Sequence, residues 1–273
     1  MPMCDPLTAA LVEPVQPVDD SAWRDALHVA KATLAGLAVR GAGARTFRVT
    51  EHEVRAALGR PGAMTEERPF EWSARTARRA LGLAAVRTLA AGEARAPAEA
   101  VRHRLAETVR GVRDGSPGVS PLDRWVTGLG PAGRALVAAE SVTWATRLWC
   151  ALDWTALGAP GTPPLIGRDR WWDSPHSALL ALRGRADVRT DRANLVVLSG
   201  PRRASVRSEL ALVALVDALR AHDRATPARV VGWWPDSGHQ IRIEPHPAVL
   251  TLACDAIALV LAGGSTAPSR SAA

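Results

Sequence analysis

Three carboxylates stand where an acid could take part in chemistry. Asp187 lies in GRADV, Glu209 opens the apolar run SELALVALVDAL, and Glu140 falls within PAGRALVAAESVTW. Carboxylate oxygens ligate hard divalent cations such as Mg²⁺ or Mn²⁺. An ion held with positions left open to water can drive attack on a phosphate ester. If Glu140, Asp187 and Glu209 converge, they form the catalytic set, with Asp187 and Glu209 as metal ligands. Arginines accompany them. Arg183 and Arg185 alternate with Asp187, and GPRRAS sets Arg202 and Arg203 just ahead of a helix N-terminus, where backbone N–H groups favour phosphate. ARTARR carries Arg75, Arg78 and Arg79 at helical spacing, the first two on a shared face. These arginines are the candidate nucleic-acid contacts.

Each acid also has an ordinary structural role open to it. Alternation places Arg183, Arg185 and Arg189 on the face of Asp187, so this acid fits an ion-pairing residue in an arginine stripe, unless a bulge at Gly184 shifts the register. Glu209 near a helix start is favoured by the helix dipole without any catalysis. Glu140 suits a capping or packing partner for an arginine.

The elements that must position these groups change character near residue 160. Residues 1–20 are Pro-rich and read as disordered or extended, and residues 21–157 form a helical region. SAWRDALHVAKATLAGLAV follows the cap candidates Asp20 and Ser21, and Thr50 with Glu53 makes a capping box. Ser73 caps a helix that stops at Gly92, while Pro97 and Pro131 open two more. The last of these is read as a single helix through Trp144, Trp149 and Trp154, spiralling its indoles around the axis. After the connector GAPGTPPLIG, residues 165–262 become mixed. SALLALRGRADVRT and ANLVVLSG read as strands and SVRSELALVALVDALRAH as a buried helix. ARVVGWW and HQIRIEP form a hairpin about PDSG, and PAVLTLACDAIALVLAG closes as a helix. The fold class is α/β (α+β), a mixed sheet flanked by helices behind a helical N-terminal half. Residues 263–273 read as a disordered tail.

Composition narrows the classes. The 273 residues carry a formal net charge of +7, which suits an anionic partner, DNA first. Lys31 is the only lysine, so coding bias toward arginine explains the same charge. Cys4, Cys150 and Cys254 are isolated, which excludes a CxxC-type zinc or iron–sulfur site and suits a reducing cytoplasm. The apolar segments are short and each contains an Asp, so neither a membrane span nor a signal peptide is expected. Among 10 tryptophans, the pairs Trp171-Trp172 and Trp233-Trp234 on strands put one indole on each face, one for the core and one for a base or protein partner. His176, His239 and His246 make no metal-ligand spacing.

Residues 165–262 resemble the PD-(D/E)XK nuclease superfamily, especially its RecB-like exonuclease branch. GRADV is similar to the strand that carries the family's first catalytic Asp. NLVVLSG is similar to the next strand, which in the family bears an acid, one spacer and a lysine, often followed by a small residue and Gly. SELALVALVDAL resembles the following helix, with Glu209 where RecB-like members often have Gln, and ARVVGWWPDSGHQIRI resembles the later strands. Aligning Gly200 with the family glycine sets Val196 at the acid position and Leu198 at the lysine position. Two apart on a strand, they share a face and make an apolar surface that cannot ligate a hard cation. Arg202 or Arg203 could supply the missing charge but not proton transfer, since arginine stays protonated.

The resemblance implies nucleic-acid-processing ancestry. The degenerate motif implies an inactive pseudo-nuclease that binds DNA, or an accessory factor in DNA repair or defence, with no cofactor. One alternative is an active Mg²⁺- or Mn²⁺-dependent nuclease using the migrated acids. Another is a protein-interaction module that reuses the fold and takes a protein partner through exposed tryptophans.

Overall fold

The computed structural model describes residues 5–40, 47–59, 71–158, 163–175, 180–221 and 227–264. Cys4, His176 and the tail segment 265–273 lie outside the described residues. In chain order the elements begin with α1 (Pro6–Val12), α2 (Asp20–Arg40), β1 (Phe47–Val49) and α3 (Glu51–Gly59). Then come α4 (Ala74–Ala90), α5 (Pro97–Arg113), α6 (Pro121–Gly128), α7 (Pro131–Cys150), α8 (Trp154–Gly158) and β2 (Leu165–Ile166). The remainder are β3 (Arg170–Asp173), β4 (Leu180–Gly184), β5 (Val188–Arg189), β6 (Ala193–Val197), α9 (Val206–Arg220), β7 (Arg229–Trp233), β8 (Gln240–Ile243) and α10 (Pro247–Gly264). This is a mixed α/β chain, helical in its N-terminal half with its strands concentrated in the C-terminal half. Among the described residues no helix is long and apolar enough to cross a membrane.

The chain divides into two compact units, one of residues 1–9 with 69–167 and one of residues 10–68 with 168–273. One boundary falls between Gly167 and Arg168. The helices α2 and α3, however, belong with the sheet rather than with the helical region 21–157. Their apolar faces are the reason. Leu34 and Leu37 of α2 and Val54 of α3 are buried in one cluster with Leu182 of β4, Leu215 of α9 and Ile257 of α10. The segment 1–20 is likewise not uniformly extended, because Leu7, Ala10 and Leu11 of α1 are buried.

In the first unit α4 packs on α5 and α7, and α5 on α6. Ser73 caps α4 by accepting from the Thr76 N–H, with Thr76 answering as the other half of a capping box. Sequence reading passes over α6, whose Ser120 and Asp123 form the same device. The helix expected through residue 157 instead stops at Cys150. Asp153 Oδ1 accepts from the N–H groups of Thr155 and Ala156, both at 3.0 Å, and so starts α8 afresh. The restart folds Trp154 back on Trp149, with ring centroids 5.0 Å apart, where an unbroken helix would have spread them.

In the second unit β4 is the centre of one sheet, parallel to β1 and antiparallel to β3. A second sheet runs β5, β6, β7, β8, antiparallel except for the parallel β6–β7 pair, whose crossover is α9. Of the segment expected as one strand from Ser177 to Thr190, residues 177–179 lie outside the described residues and the remainder serves two sheets, with residues 185–187 as the link. The helix α9 covers β3, β4 and β7 with nearly every side chain buried, and α10 lies against α9, α2 and α3. Asp19, rather than Asp20 or Ser21, caps α2, accepting from the N–H groups of Ser21 and Ala22.

Candidate functional site

The link between β4 and β5 gathers the acids of the second unit around arginine. Asp187 is fully buried and its Oδ2 accepts from the Val197 N–H at 2.8 Å, while its own N–H donates to Leu195 O at 2.7 Å. Arg185 grips the other side of the same β6 residue, donating from Nη2 to Val197 O at 2.9 Å. The backbone N–H of Arg185 donates to Glu51 Oε1 at 2.7 Å, and Arg183 Nη2 faces Glu51 Oε2 at 3.4 Å. Burial works against the Arg185 charge, but Asp187, Glu51, Asp169 and Glu209 together outweigh it and raise its proton affinity.

Glu209, one turn into α9, is buried and saturated with donors. Arg203 meets it through both carboxylate oxygens, Nε to Oε1 at 2.8 Å and Nη2 to Oε2 at 2.6 Å. Arg55 Nη2 donates to Oε2 at 2.7 Å and Ser205 Oγ to Oε1 at 2.8 Å. Burial alone would raise the Glu209 pKa, yet the hydrogen bonds from Arg203, Arg55 and Ser205 hold it at about 2. Ser205 spends its hydroxyl on Glu209 and gives no side-chain cap to α9. The exposed Arg202 and Arg207 flank that uncapped end.

A divalent cation requires carboxylate oxygens that can turn toward it. Here both oxygens of Glu209 and of Glu51 face guanidinium or backbone N–H groups, and Asp187 is pinned to β6. The cationic place among these acids is filled by Arg185. In this arrangement the carboxylate oxygens of Glu51 and Glu209 face N–H donors, and the cluster is one of arginine–carboxylate pairs.

Among the residues singled out from sequence, Asp187, Glu209, Arg183, Arg185 and Arg203 come together in the second unit. Asp187 is not on a solvated stripe. The break after Gly184 turns it inward, and Arg189, expected on the same face, is buried and holds Asn194 Oδ1, Asp217 Oδ1 and Gly184 O. Burial lowers the pKa of Arg189 to about 10 despite Asp217. Glu140 belongs to the first unit, where Arg78 lies 3.5 Å from it. Arg75 and Arg79 are also there, on α4, the first exposed and the second half-buried.

Sequence reasoning missed Glu51 and Arg55. Four apart at the start of α3, they carry the spacing of a helix-surface ion pair, and only the packing of α3 in the second unit sets Glu51 against Arg183 and Arg185 and Arg55 against Glu209 of α9. Val196 and Leu198 lie, as the alternation requires, in one apolar cluster with Val206, Leu210, Val213 and Trp234. Trp233 and Trp234 are both buried, contrary to the expected in-and-out pair, because β7 ends at Trp233 and the next residue folds into that cluster. Trp171 does face outward, with the Arg183 guanidinium 5.8 Å from its ring centre.

No family model, curated protein or solved structure matches the chain.

Proposed function

We propose that the second unit is a non-catalytic nucleic-acid-binding module with a PD-(D/E)XK-like sheet, its phosphodiesterase chemistry replaced by arginine–carboxylate pairing. The observation that carries this reading is the state of the would-be catalytic positions. Val196 and Leu198 are buried among aliphatic side chains, and the nearby acids are neutralised by Arg55, Arg183, Arg185 and Arg203. The strand–strand–helix–strand order of β5, β6, α9 and β7, with β6 parallel to β7, supports the kinship. Support for an anionic ligand comes from the α9 N-terminus. It lacks a side-chain cap, and the exposed Arg202 and Arg207 stand beside an Arg203 already held in place by Glu209. A phosphate there meets backbone N–H groups and guanidinium charge together.

The test is fluorescence anisotropy with a DNA duplex and a single strand over a salt series. Binding is expected to weaken with salt. Arg202→Ala with Arg207→Ala should lower the log–log slope by roughly 2, about 0.9 per phosphate contact. An unchanged slope removes the α9 end from the interface. Mg²⁺-dependent cleavage abolished by Asp187→Ala would overturn the non-catalytic reading.

A further inference from the structure

We infer that the first unit carries a docking groove for an acidic amphipathic helix of a partner protein, formed between α5 and α7. The groove has a volume of about 580 Å³. Its floor is Leu105, Ala106 and Val109 of α5 with Ala135 and Ala138 of α7. Its rim is Arg102, Arg110 and Arg113 on α5 and Arg134 on α7. The α5 residues fall at spacings of three and four, so they form one face of that helix, running about 17 Å from Arg102 to Arg113 at about 1.5 Å per residue.

Three features identify the occupant. First, the floor is apolar and left open, with Val109 44% exposed and Ala106 and Ala135 exposed as well. Small side chains there let another helix approach closely, as a ridge enters a groove. Second, a floor of alanine, leucine and valine side chains offers no hydrogen-bond partner to an extended backbone. A segment lying on it must satisfy its own N–H and C=O groups, which a helix does. Third, no acid lines the groove. Arg134 spends Nη1 on the carbonyl oxygens of Thr127 and Leu129, which leaves its charge unneutralised. Arg113 pairs with the solvent-exposed Asp114, a pairing that screens it little. The complement is a helix with apolar residues on one face and Glu or Asp on its flanks. Self-pairing of two such grooves would oppose the arginine rims, so a symmetric dimer through this face is disfavoured.

The experiment uses the full chain and two labelled helical peptides of about five turns. Both carry leucine along one face, flanked in one by glutamate and in the other by lysine, and binding is read by anisotropy at moderate salt. The glutamate peptide is expected to bind at least about tenfold more tightly than the lysine peptide and to weaken as salt rises. Val109→Asp should lose about tenfold or more. Arg102→Glu with Arg110→Glu, both at exposed positions, should reverse the peptide preference while leaving the circular dichroism spectrum and melting curve unchanged. Absence of binding, equal binding of the two peptides, or a charge reversal without effect overturns the proposal. So does a DNA duplex that displaces the peptide and itself loses affinity in Val109→Asp, which would make the groove a nucleic-acid surface.

Discussion

Glu209→Gln tests whether the central acid is an ion-pair anchor. In the native protein the carboxyl group titrates at about 2 instead of its ordinary 4.5, because Arg203, Arg55 and Ser205 all donate to the ionised form. At about 1.4 kcal/mol per tenfold change in proton affinity, that difference corresponds to about 3 kcal/mol. Arg55 is 38% exposed, so solvent screening trims the figure to about 2 kcal/mol. The folded-state value lies below the unfolded one, so this contribution is fully present above pH 4.5 and fades as pH falls through about 2. Urea unfolding of the wild type and of Glu209→Gln at pH 7 should differ by about 2 kcal/mol, with equal m-values. Repeating the comparison at successively lower pH should shrink the gap below pH 4.5. A gap under about 0.5 kcal/mol at pH 7, or one that stays constant into acid, would refute the anchor. So would Mg²⁺ stabilising the wild type and not the variant, since a carboxylate free to take the ion is not committed to two guanidinium groups.

Two further substitutions probe the packing. Leu198→Ala, in the apolar cluster under α9, should cost about 2–4 kcal/mol by urea unfolding, and a near-neutral result would mean that this position is not core. Gly82→Ala in α4 would place a Cβ 2.5 Å from Trp144 Cε3. A loss of about 1–3 kcal/mol in thermal unfolding is expected, and an unchanged melt would show that α7 yields readily.

The sequence by itself determined the mixed α/β class, the cap at Ser73, the helix start at Pro97, the β7–β8 hairpin and the shared apolar face of Val196 and Leu198. Each of these is written in neighbours a few residues apart, through side-chain alternation, capping chemistry or turn residues. The tertiary structure decided what depends on distant partners. Helices α2 and α3 join the sheet because their apolar faces complete a core with α9 and α10, and no local pattern says which core a helix will cover. Asp187 is buried because the strand breaks after Gly184 to serve two sheets, a choice made by β3 and β6 from outside the segment. Glu51 reaches Arg183 and Arg185, and Arg55 reaches Glu209 of α9, only through that packing. A charge's role is set by what surrounds it in space, and Arg55 and Glu209 stand 154 residues apart in the chain.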